Sequence, residues 1–211
     1  MFCINEGQVI ELSIDNLAGG GDGVGRWQGM AVFVPGTLPG ERVRARIIQV
    51  KKAFARGKLE EVLNTASARI DPECKDFEGC GGCNLQHVNY ENQLEYKRQS
   101  VYDALVRIGK VSGVTVHPVI GMEYPWHYRN KVHLQVGGEK GHLMLGFFTP
   151  GSHRFASRGG TCQLINSKLN EVTVLVEGLL NKYCIEPFKW KKRRGLLRNV
   201  MLRIAEATGE I

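Results

Sequence analysis

Three cysteines within ten residues, Cys74-Lys-Asp-Phe-Glu-Gly-Cys80-Gly-Gly-Cys83, constrain this chain more than any other feature. Thiolates crowded into one loop repel each other unless a cation or an iron–sulfur cluster absorbs their charge. Unligated buried cysteines are the poorest reading of this C-x5-C-x2-C run. Gly79, Gly81 and Gly82 bracket the sulfurs with bare backbone N–H groups that can approach an anionic cluster. Zinc held by the three cysteines and His87 is a second reading, although C-x5-C-x2-C-x3-H is not a common finger spacing. A [4Fe–4S] cluster is the third; it takes four thiolates, often three from one loop and one remote. Cys162, in Gly159-Gly-Thr-Cys-Gln163, is a remote candidate whose glycines permit close approach. Cys3 and Cys184 have apolar neighbours and read as terminal or packing cysteines.

Six cysteines, sparse and unevenly spaced over 211 residues, do not make a secreted disulfide framework. The start, Met1-Phe-Cys-Ile-Asn-Glu-Gly, lacks the charge and apolar core of a secretory signal. No apolar run approaches the roughly 18 residues of a membrane helix. A reducing, cytoplasmic setting and no membrane partner are expected. The net charge of +7 suggests an anionic partner, with a merely basic soluble surface as the competing reading.

From Gln8 to Leu63 the chain reads as short strands separated by turns, which predicts a small closed, OB-like barrel. In Glu41–Val50, Val43, Ala45 and Ile47 alternate with Arg42, Arg44 and Arg46. The arginine face continues into Lys51, Lys52, Arg56 and Lys58, with Phe54 among them. Small barrels bind single-stranded nucleic acid with such a face, charges on phosphates and rings on bases; a solvated strand face is the equal alternative. Trp27 and Phe33 are expected in the core. The run Gly19–Gly25 opens no helix and is followed by Arg26-Trp27, so it is neither a dinucleotide fingerprint nor a Walker loop. It reads as turns at a barrel corner.

The remainder predicts an antiparallel-sheet α+β domain that carries the cysteine loop at its entrance. A helix is expected over Leu85–Lys110, with Asn89 as N-cap, Gly109 as its end, and Tyr90, Leu94, Val101, Leu105 and Ile108 on one face. A strand over Gly113–Ile120, a hairpin of Lys131–Val136 with His142–Phe148, a helix over Ser167–Lys182 and a strand over Leu196–Ala205 follow. The second helix should turn Leu169, Val172, Leu175, Val176 and Leu179 inward. The division expected is a barrel over 1–66 and a second domain over 67–211. Arg129, Lys131, Arg154, Arg158 and the basic run Lys189–Arg194 around Trp190 are candidate phosphate contacts, with a solvated loop competing for the last. His127, His133 and His153 read as packed or solvated.

The barrel, the C-x5-C-x2-C run, Leu85-Gln86-His87, Tyr128-Arg-Asn-Lys131 and Cys162-Gln-Leu164 together resemble the RNA uracil-5-methyltransferases, and more closely their bacterial 23S rRNA branch. The resemblance implies an N-terminal TRAM barrel followed by a central domain with a [4Fe–4S] cluster on Cys74, Cys80, Cys83 and Cys162. It implies structured RNA, 23S rRNA, as partner, S-adenosylmethionine as the full-length family's methyl donor, and a monomer. The cluster would support fold and RNA binding. Radical S-adenosylmethionine chemistry fits less well, because its usual C-x3-C-x2-C spacing is not met. In the family a Rossmann-like domain supplies the catalytic cysteine and base, and neither its glycine-rich cofactor loop nor an Asp-Pro-Pro-Arg context occurs here. The turn at Thr208-Gly209 looks interrupted. The expectation is therefore the RNA-recognition and cluster-binding portion of such an enzyme, without its catalytic domain, without a S-adenosylmethionine site and inactive alone. A free-standing, metal-stabilised RNA-binding protein is the alternative.

Overall fold

The computed structural model describes residues 4–211, so Cys3 lies outside the described residues. The chain forms two compact units, Met1–Glu73 with Asn84–Gly121, and Cys74–Cys83 with Met122–Ile211. The boundary is drawn differently from 66/67, because the first long helix belongs with the barrel and the cysteine loop with the second unit.

In the first unit, β1 (Val9–Leu17), β2 (Gly23–Trp27), β3 (Met30–Val34), β4 (Arg42–Val50) and β5 (Phe54–Asn64) close into a barrel of order β1-β2-β3-β5-β4. Only β3 and β5 run parallel. Alternation decides the faces: Val43, Ala45 and Ile47 are buried with Ile10, Leu12, Ile14, Val32 and Val34. The glycines before β3 do two jobs. Gly21 takes the expected left-handed turn (φ +87°), whereas a Cβ on Gly25 would stand 2.0 Å from the Ser13 carbonyl oxygen. Close strand approach therefore requires the second. Trp27 packs against the barrel core as expected. Phe33 does not enter it; flanked by inward Val32 and Val34, it meets Phe54 edge-on at 5.5 Å.

Asn89 caps α1 (Tyr90–Asp103), its side chain accepting from Asn92 N–H at 3.0 Å. A π-helical turn over Ala104–Ile108 ends at Gly109. The apolar face expected of this helix is not buried: α1 has no buried residue, and Ile108 is 82% exposed. No strand forms over Gly113–Ile120. Pro118 lacks the N–H a ladder requires, and Ile120 is 98% exposed, so burial supplies no compensation.

In the second unit, β6 (Lys131–Glu139), β7 (His142–Phe148), β8 (Phe155–Arg158) and β9 (Asn199–Arg203) form an antiparallel sheet of order β8-β7-β6-β9. The β6–β7 hairpin is tighter than expected, since Glu139 pairs with His142 and only Lys140-Gly141 turn the chain. β9 is shorter than Leu196–Ala205, and Leu196 is exposed. α2 (Ser167–Lys182) has the expected bounds but a different inner face. Leu169 and Thr173 are buried and Val176 and Leu180 pack on the core, while Leu175 and Leu179 face outward. Thr173 is accommodated because its hydroxyl donates to the Leu169 carbonyl at 2.7 Å.

Candidate functional site

The cysteine loop is built from tight turns. Phe77 N–H donates to the Cys74 carbonyl at 3.1 Å and Cys80 N–H to the Asp76 carbonyl at 2.8 Å. Gly81 N–H reaches the Phe148 carbonyl at 3.3 Å, anchoring the loop to the end of β7. Gly82 N–H points at the Cys80 sulfur at 3.4 Å. The Arg129 guanidinium donates to the Gly82 carbonyl at 2.8 Å and so fixes the peptide leading into Cys83.

Cys162 follows a single 3-10 turn, Gly159–Thr161, and Asn170 donates to its carbonyl at 3.0 Å. The glycines before it serve packing: a Cβ on Gly159 would stand 2.4 Å from Leu134 Cδ2, and one on Gly160 2.6 Å from Val174 Cγ2. Burial pushes the Cys80 thiol up, Gly82 N–H partly relieves it, and negative charge on Cys162 and Cys74 raises it further. Cys162 thus lies within electrostatic reach of Cys80 despite the distance in sequence. Cys74, Cys80, Cys83 and Cys162 are half-buried free thiols, and Cys184 is exposed. His87 is buried beside Arg69, whose charge joins burial in depressing it to about 4.

Among the described residues, no group of three or more His, Cys, Asp or Glu side chains is gathered as the ligands of a single metal ion. A four-iron cluster is wider than one ion and holds its thiolates further apart. Half-burial, mutual charge repulsion and a backbone N–H aimed at sulfur are the donor chemistry such an anionic group uses.

The basic candidates divide sharply. On the barrel, Arg42 pairs with Glu11 at 3.0 Å, Arg44 with Glu11 and Glu61, and Arg46 with Glu60 at 2.7 Å. Three guanidiniums thus meet three carboxylates, and the strand face that reads as basic in sequence is neutralised by β1 and β5. Lys51 and Lys52 are exposed at the β4–β5 turn, and Lys52 lines a groove with Trp27 and Met30. Lys131 is exposed at the start of β6, in an open groove of about 470 Å³ shared with Tyr128, His133 and Phe147. Arg154, just before β8, and Arg158, its last residue, are exposed. None of Lys51, Lys52, Lys131, Arg154 and Arg158 is in an ion pair among the described residues. No helix among the described residues is long and apolar enough to cross a membrane.

Residues 5–59, in the barrel unit, match the TRAM domain family. An uncharacterized RNA methyltransferase of Halalkalibacterium halodurans is 39% identical over 208 residues, covering 99% of this chain and 45% of the relative. One from Clostridium acetobutylicum is 39% identical over 203 residues, covering 95% and 44%. Among solved structures, the Pyrococcus abyssi tRNA (uracil-54, C5)-methyltransferase with S-adenosyl-L-homocysteine matches at a TM-score of 0.68 and 24% identity, over 95% of this chain and 44% of that one. The chain is similar to these RNA methyltransferases and spans about 45% of the length of the curated relatives it matches. These likenesses correct the expectation of an RNA-recognition module with no catalytic domain, and of a free-standing RNA-binding protein without activity. Relatives matched over 99% of the chain are named as methyltransferases. The matching structure is a methyltransferase holding S-adenosyl-L-homocysteine. The expectation that the chain has no S-adenosylmethionine site is not supported by these likenesses.

Proposed function

We propose that this protein is an S-adenosylmethionine-dependent methyltransferase acting on C5 of a uracil in structured RNA, 23S rRNA first. In this reading Cys74, Cys80, Cys83 and Cys162 hold a [4Fe–4S] cluster, and the protein works as a cytoplasmic monomer. The observation that carries the proposal is the match to RNA methyltransferases over 99% of the chain. The likeness in fold to an archaeal tRNA (uracil-54, C5) enzyme supports uracil as the base.

When bound, the cluster supplies a four-point cross-link and a compact anionic centre. The chain's own residues prepare for it. Gly82 N–H favours a thiolate at Cys80, Arg129 holds the peptide entering Cys83, and Asn170 holds the Cys162 carbonyl. Lys131, Arg154 and Arg158 are the proposed phosphate contacts, with Lys51 and Lys52 on the barrel turn.

The function is tested by incubating the protein with methyl-labelled S-adenosylmethionine and either 23S rRNA or tRNA, then locating 5-methyluridine by mass spectrometry. Label in 23S rRNA is expected. Label in tRNA alone overturns the rRNA assignment, and label in neither overturns the function. Anaerobic purification should give iron and sulfide in equal amounts, and stoichiometric zinc would count against the cluster. Cys162→Ala is expected to lose the iron and Cys184→Ala to keep it.

A further inference from the structure

The second basic stretch, unlike the barrel face, is left unneutralised. Lys189, Lys191, Lys192, Arg193 and Arg194 lie on a short hairpin. Lys189 N–H donates to the Arg194 carbonyl at 2.7 Å, Lys192 N–H donates to the Lys189 carbonyl at 3.1 Å, and Arg193 turns the tip at φ +49°. No carboxylate pairs with any of the five among the described residues. Like charges held together on a pinned turn repel, and an anionic ligand relieves that repulsion.

Trp190 stands within this hairpin and is 49% exposed. It is nonetheless braced. Its ring stacks on His153 with centroids 5.9 Å apart and planes 20° apart, and meets Phe188 edge-on at 5.1 Å. Arg198 lies 4.2 Å over Phe188 and 5.5 Å from the Trp190 centroid. His153 in turn meets Phe148 edge-on at 5.7 Å, so the array reaches the end of β7. A half-exposed indole already fixed by its neighbours loses little freedom on taking up a further planar ring. Rigid aromatic surface ringed by cations is the composition of surfaces that bind unpaired nucleotides, with bases on rings and phosphates on charges. An acidic peptide would satisfy the cations and leave the indole unused. A duplex would offer phosphates while keeping its bases stacked on each other.

We infer that Trp190, backed by His153, Phe188 and Arg198, is a stacking platform for an unpaired base of the RNA, with the Lys189–Arg194 hairpin holding the flanking phosphates. The inference rests on the RNA-binding reading above and adds to it where, and in which form, the RNA is met. The test is fluorescence anisotropy on the whole protein, with a labelled single-stranded RNA of roughly ten nucleotides and a blunt duplex of the same sequence. Trp190→Ala is expected to weaken single-strand binding by about 5- to 150-fold and to leave the duplex within about twofold. Trp190→Leu, which fills the space without a π face, should lose as much, and Trp190→Phe should recover most of it. Lys191→Ala with Lys192→Ala should weaken both RNAs and make the single-strand salt slope shallower by about 1.4. Thermal melting of each variant checks that it is folded. Unchanged single-strand binding by Trp190→Leu, with the lysine variant weakened, overturns the platform and leaves RNA binding standing. Equal losses on single strand and duplex overturn stacking, and wild-type protein that binds neither overturns both readings.

Discussion

Glu41 is a carboxylate with 1% of its surface exposed, and the barrel unit tolerates it through Arg69. Burial alone would raise its carboxyl. Hydrogen bonds from Arg69 at 2.6 and 2.8 Å and from Leu38 N–H at 2.8 Å outweigh that and hold it low. Arg69 also donates to the Gly36 carbonyl at 2.7 Å, tying the segment after β5 to the β3–β4 turn. Removing one partner would leave a buried charge, so Arg69→Ala is expected to cost about 3–5 kcal/mol in urea denaturation. His87 makes the same region sensitive to acid. Burial and the Arg69 charge push it from 6.5 to about 4, which Glu41 partly offsets. The unfolded side chain takes up a proton near 6.5 and the folded one only near 4. The stability from keeping it neutral is therefore complete above 6.5 and lost as pH falls toward 4, at up to about 1.4 kcal/mol per pH unit. Glu41, held low, adds a loss in the same direction only further down, below its ordinary 4.5. Urea titrations between pH 7 and pH 5 should show the slope in wild type, and His87→Leu should flatten it. None of this pairing is legible from sequence, where Glu41 begins an alternating strand and His87 is a candidate zinc ligand.

The helix α2 illustrates how elements close one another's open edges. β8 is short, and polar side chains of α2 serve the backbone of β7: Asn181 accepts from Leu143 N–H at 2.6 Å and donates to its carbonyl at 2.9 Å, while Glu177 accepts from Leu145 N–H at 2.7 Å. Asn181→Ala would orphan both Leu143 groups and is expected to cost about 1–3 kcal/mol by thermal or urea unfolding. These contacts also explain the helix's rotation away from its apolar periodicity, because turning Leu175 and Leu179 inward would withdraw the clamp. The barrel strands carry a different expectation. With Arg44 engaged by Glu11 and Glu61, Arg44→Ala should leave both RNA affinity and its salt slope unchanged, measured beside the lysine hairpin variant. Alternation along β4 makes its two faces legible in sequence. The identity of the neighbours that neutralise the outer face is not, since Glu11, Glu60 and Glu61 come from strands set beside it by barrel closure.

At the scale of the molecule, the chain runs from the barrel unit into the cysteine loop, back into the barrel unit through α1, and out again at Met122. A cluster on the four cysteines would cross-link the second unit alone. Scanning calorimetry is therefore expected to show two transitions under anaerobic conditions, and iron chelation should lower only that of the second unit. Local pattern determined the barrel, the hairpin, the ends of α2 and the C-x5-C-x2-C loop, because alternation, caps, turn glycines and cysteine spacing act over a few neighbouring residues. The likeness of those motifs points to the RNA methyltransferases that the chain resembles over 99% of its length. Tertiary structure decided what distance along the chain conceals. It set Cys162 within reach of Cys80, took Arg129 for the cysteine loop and cancelled the barrel arginines. It also stacked His153 against Trp190 beside five cations that have no ion-pair partner among the described residues. Charge and ring contacts depend on which partners folding brings near, and that depends on strand order and packing over the whole chain.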